Sequence, residues 1–126
     1  MENLIRNSIT SDDDLRKAGQ RLNIDIGIVW LRDYRHWMED YPTIINLGSS
    51  ISGGTHWIAI YKEHYFDSFG MPPPHWQGLE RKEWTDLQIQ SIEQGYCGAY
   101  CILFLYHAIN NSLPEFYSEF NPLNIT

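Results

Sequence analysis

The stretch that most constrains this chain is residues 90–106, Q-S-I-E-Q-G-Y-C-G-A-Y-C-I-L-F-L-Y. It opens in polar, glycine-containing sequence and turns at Cys97 into an apolar run, free of Pro, Asp and Asn, that closes near His107 and Ala108. Such a pattern reads as a loop feeding a buried helix. A cysteine in the first turn of a helix sits at the positive end of the aligned peptide dipoles, beside backbone N–H groups with no intrahelical partner. That setting favours the thiolate, the nucleophilic form of sulfur. Gly98 removes side-chain bulk where a substrate carbonyl must approach the backbone, and leaves the Cys97 N–H free as an oxyanion donor. Gln90, upstream, is placed to swing an amide N–H toward the same point. The opposing reading is packing, since free cysteines are among the most buried residue types. Cys101, one turn further on the same face, takes that reading and continues into Ile102 and Leu105. Cys97, with polar and glycine neighbours, suits an exposed helix start.

A length of 126 residues fits one domain, 1–126, with a core large enough to need no staples. The 43% hydrophobic content argues against disorder, and the 14% aromatic content calls for a ring-filled core or a ring-lined groove. Nine Lys and Arg against 16 Asp and Glu give a net charge of −7, so nucleic acid is not expected as a primary ligand. Two cysteines one helical turn apart form no disulfide framework, and the sequence shows no signal peptide; an intracellular, reducing compartment is expected. The longest apolar run falls far short of the ~20 residues that a membrane span needs.

In chain order, residues 11–22 read as a helix: Ser11 can cap it, Asp12, Asp13 and Asp14 fill its first turn, and Leu15, Ala18 and Leu22 recur at helical spacing. The acidic triplet is read as a dipole partner, not a metal site. Residues 24–31 and 43–47 read as strands, with a helical turn within 32–40. Residues 48–54 form a Gly- and Ser-rich loop. H-W-I-A-I-Y (56–61) and Y-F-D-S-F (65–69) are strand-like and so closely spaced that they must form an antiparallel hairpin. A turn at Tyr61-Lys62 puts His56 opposite Asp67; a turn at Lys62-Glu63 makes them diagonal neighbours on one face. The prolines at 72–74 stiffen the following loop, 83–89 read as a further strand leading to Gln90, and 113–120 as a short helix started by Pro114.

A His and an Asp on one hairpin, with a Cys at a helix start and a Gln before it, form a constellation suited to thiol chemistry. A thiol attacking an amide needs a base within reach, a group that orients the base, and donors for the oxyanion. His56 would be the base, Asp67 its orienter, Cys97 the nucleophile, and Gln90 with the Cys97 N–H the donors. Trp57 either shields the site or joins the core.

The segments T-H-W-I-A-I-Y, Y-F-D-S-F-G and Q-S-I-E-Q-G-Y-C-G-A-Y-C resemble the cysteine proteases of the adenovirus protease (adenain) type, whose wider clan holds the SUMO-specific proteases and the proteases of polintons and virophages. The resemblance spans 44–107. It implies an α+β fold with a mixed or antiparallel sheet packed on helices, and an active site between the hairpin and the start of the central helix. Carried over by position, it implies a triad of His56, Asp67 and Cys97, with Gln90 as the oxyanion glutamine. Tyr96, where SUMO-type members usually have Asp, leans toward the viral branch. Gln90 is preferred to Gln94 by its spacing.

The expected activity is that of a cysteine endopeptidase acting on protein or peptide substrates, viral capsid or core precursors among them. The alternatives are an isopeptidase removing ubiquitin-like modifiers and a non-catalytic peptide-binding module. No cofactor, metal or membrane partner is expected, and a structural metal site built on Cys97, Cys101 and His107 lacks the usual two ligand pairs. The acidic charge sets the chain apart from the use of DNA and a basic peptide as cofactors; an activating peptide partner stays open.

Overall fold

The computed structural model describes residues 11–49, 55–89 and 96–119. Helix α1, Asp12–Arg21, begins as the sequence suggests: the Ser11 hydroxyl accepts from the Asp14 N–H at 3.1 Å, and three aspartates occupy the first turn. Gly19, which weakens the helix expectation, answers to packing instead. A Cβ there would lie 2.4 Å from Ile26 Cδ1, in the segment that leads to the sheet.

Four strands follow in the spatial order β1-β2-β3-β4: β1 Gly27–Trp30, β2 Thr43–Ser49, β3 Thr55–Tyr61 and β4 His64–Phe66. β1 runs parallel to β2, while β2–β3 and β3–β4 are antiparallel, so the sheet is mixed. A parallel neighbour needs a long crossover. Residues 31–42 supply it with two short 3-10 turns, Leu31–Asp33 and His36–Asp40, where the sequence suggested one helical turn. Pairing of Ala59 with Phe66 and of Tyr61 with His64 puts the hairpin turn at Lys62-Glu63, the second of the two registers left open. Lys62 takes a positive φ of 53°, and its N–H donates to the Glu39 carbonyl at 2.8 Å.

Two apolar clusters cover the two faces of the sheet. Ile44, Trp57, Ala59 and Phe66 face helix α2, Cys97–Ile109, and helix α3, Leu113–Glu119. Phe66 stacks on Phe104 with ring centroids 4.9 Å apart, and Phe116 meets both edge-on. Ile45, Ile58, Ile60 and Tyr65 face the other way, onto Tyr34 and Leu79. The strict alternation along β3 is the period of a pleated strand buried on both sides. Trp57 is thus a core residue.

The expected strand over 83–89 does not form. Glu83 alone bridges to His64, with Glu83 N–H donating to the Glu63 carbonyl and Tyr65 N–H to the Glu83 carbonyl. β4 itself ends at Phe66, short of the expected Phe69, because residues 67–70 turn away, with Gly70 N–H donating to the Asp67 carbonyl at 2.9 Å. No straight edge then remains for 84–89 to pair with, and the Thr85 hydroxyl takes the Leu87 N–H. Among the described residues no helix is long and apolar enough to cross a membrane.

Candidate active site

His56 sits near the start of β3, and Asp67 just past the end of β4. The Lys62-Glu63 turn makes them diagonal neighbours on the face that also carries Ile58, Ile60 and Tyr65. His56 Nε2 lies 2.8 Å from Asp67 Oδ1, with the imidazole 9% and the carboxylate 2% exposed. The same Oδ1 accepts the Phe69 N–H at 2.8 Å, so the carboxylate is held from its own turn.

The Asp67 bond leaves Nδ1 as the free end of the ring. That atom is buried and has no hydrogen-bond partner among the described residues. Buried polar nitrogens are rarely left so, and an orphan of this kind calls for an explanation. Helix α2 provides one. The Cys97 sulfur accepts the Trp57 N–H at 3.4 Å and lies 3.7 Å from the Thr55 carbonyl, against the peptide units on either side of His56. Burial, the largest single influence on the imidazole, opposes its charge. Hydrogen bonding to Asp67 and the nearness of the Cys97 sulfur, together with charge on both, outweigh it and lift the His56 pKa to about 9. At neutral pH His56 is therefore an imidazolium.

Cys97 opens its helix as expected, and no side chain caps that end. The first turn closes where the Tyr100 N–H reaches back to the Tyr96 carbonyl at 3.1 Å, and among the described residues the N–H groups before it have no backbone acceptor. The expectation that Cys97 is exposed is corrected. It is 5% exposed, because the helix start lies against β3 and the sulfur is enclosed by the strand it serves. Cys101 is fully buried; its thiol donates to the Trp57 carbonyl at 3.4 Å, and burial pushes its pKa well above the ordinary value. Both sulfurs thus engage the backbone of one residue, but only Cys97 is next to the imidazole.

The structure therefore brings His56, Asp67 and Cys97 together. Gln90, and the rival Gln94, lie outside the described residues. Phe69, whose ring stacks on His56 at 4.3 Å between centroids and 9° between planes, was missed by sequence reasoning. The signal that could have found it is register: a Lys62-Glu63 turn, extended, sets Phe69 opposite His56. Two open grooves lie elsewhere, one beside His64, Trp84 and Tyr117 and one beside His36, Lys62 and Arg81, and neither is lined by His56, Asp67 or Cys97.

With this geometry in place, the comparisons add one relative. The chain is similar to the protein named Protease of Bovine adenovirus 4, with 26% identity over 142 aligned positions that cover 82% of this chain and 71% of that one. This similarity supports a relationship to an adenovirus protease. No family model matches the chain. No solved structure matches it either.

Proposed function

We propose that the protein is a cysteine endopeptidase that cleaves viral structural precursors of the capsid or core. The observation that carries the reading is the buried His56, bonded through Nε2 to Asp67 while its orphaned Nδ1 faces the start of a helix that opens with Cys97. The similarity to a protein named Protease supports peptide-bond hydrolysis.

In this reading the Cys97 thiolate, paired with the His56 imidazolium, attacks the scissile carbonyl. The oxyanion that forms takes hydrogen bonds from the Cys97 N–H at the helix start and from the Gln90 amide, a donor being worth about 3 kcal/mol in such sites. His56 gives its proton to the leaving amine, then removes one from the water that hydrolyses the thioester. Asp67 fixes which ring nitrogen faces the sulfur. The Trp57 N–H, aimed at the sulfur at 3.4 Å, holds it beside the imidazole.

The test is digestion of a broad peptide panel and of capsid and core precursor proteins, read by mass spectrometry. Cleavage is expected from the wild-type chain and not from Cys97→Ser. Equal cleavage by both proteins, or none by either, rejects the proposal.

A further inference from the structure

We infer that Phe69 is a positioning residue for His56, its ring fixing the plane of the imidazole and its backbone N–H fixing the carboxylate that aims it. The inference rests on the reading of His56 as the base of the thiol chemistry, and its test lets the two fail separately.

A single hydrogen bond defines a line, not a plane. The bond from His56 Nε2 to Asp67 Oδ1 leaves the imidazole free to tilt about that line, and a tilt swings Nδ1 away from the helix start. A flat contact on one face of the ring removes that freedom. The Phe69 ring supplies it, nearly parallel to the imidazole at 4.3 Å between centroids and 9° between planes. Among the described residues Phe69 belongs to neither apolar cluster, and it is only partly buried.

The turn that presents Phe69 is itself anchored. Asp67 Oδ1 takes the Phe69 N–H, the Asp67 carbonyl takes the Gly70 N–H, and the Ser68 carbonyl takes the Ile89 N–H at 3.0 Å. Gly70, at a φ of 73°, passes so close to residue 86 that a Cβ would stand 2.5 Å from the Asp86 carbonyl oxygen. A glycine is required at that approach. One four-residue turn, 67–70, thus sets both the direction and the plane of the imidazole.

Phe69→Leu and Phe69→Met keep apolar bulk without a flat face, and Phe69→Tyr keeps the face. Two readouts are compared in the full chain: kcat and KM on a cleaved peptide, and the pH dependence of Cys97 alkylation by iodoacetamide together with the His56 ring signals in NMR. The second readout needs no peptidase substrate. The Leu and Met variants are expected to lose about tenfold in kcat with KM within about twofold, to displace the alkylation profile and to broaden the ring signals. The Tyr variant should stay within about twofold of wild type in each. A folded Leu or Met variant with wild-type kcat, alkylation profile and ring signals overturns the inference, as does a loss that Tyr does not rescue. If no peptide is cleaved while alkylation and ring signals respond as described, the endopeptidase reading falls and the positioning role stands.

Discussion

A buried ionisable group sits at each end of the β3–β4 hairpin, and the two ends are built differently. At the closed end Lys82, 5% exposed at its side chain, gives its ammonium to the Glu39 carboxylate and to the Lys62 carbonyl. At the open end His56 bonds Asp67 with one nitrogen and leaves the other buried and unmet. A buried charge that is fully paired holds a turn together; breaking it costs stability because its partner is stranded. A buried group with one valence left open does less for the fold and keeps a proton where chemistry can use it. Burial alone does not separate the two ends; what separates them is an unspent hydrogen-bonding position beside a cysteine at a helix start.

The largest effects that could break this contrast are on turnover. Cys97→Ser and His56→Ala should each lower kcat/KM by about 10³-fold or more, and the double variant should lose little beyond either, because the two act as one unit. Steady-state kinetics on folded proteins checks this; additive losses would mean that the two ends of the pair work independently. Next comes Gln90→Ala, expected to lower kcat by about 10²–10³ with binding little changed, against a much smaller loss for Gln94→Ala. A larger kcat defect at Gln94 reverses the assignment.

At the closed end the expected loss is of stability. Lys82→Met should lower unfolding free energy by about 1–2 kcal/mol, discounted because Glu39 is 39% exposed, and leave activity per folded molecule unchanged. Denaturant unfolding and active-site titration measure the two quantities; a folded variant without activity would erase the distinction between the ends.

The pH dependence sharpens it further. With a folded pKa of about 9 against 6.5 for the free imidazole, protonated His56 contributes stability that is fully present below pH 6.5 and is lost as pH rises toward 9. The melting temperature of wild type relative to His56→Gln should therefore fall across that window, and a flat difference would show that Asp67 does not hold the charge. On activity the smallest effect is expected for Cys101→Ala, which should lose about 1–2 kcal/mol of packing with peptidase activity retained, since its thiol reaches the Trp57 carbonyl rather than the imidazole.

Much of this molecule is legible in the sequence because the signals are local. The Ser11 cap, the unbroken apolar run after Cys97 and the three-residue gap between two strand-like segments each specify structure through their own neighbours. Alternation along 56–61 placed His56 and Asp67 on one face in either register, so two members of the constellation could be paired without coordinates.

Other features belong to tertiary structure alone. The sequence allowed two hairpin turns, and the choice of Lys62-Glu63 coincides with contacts to Glu39 and Lys82, neither of which is in the hairpin. Residues 83–89 read as a strand yet stay irregular, because the edge they would join turns away at Asp67. The burial of Cys97 and the stacking of Phe69 on His56 follow from how a helix start and a turn meet the end of one strand. Periodicity states which residues share a face; which faces meet, and how closely, is decided by contacts between segments far apart in the chain.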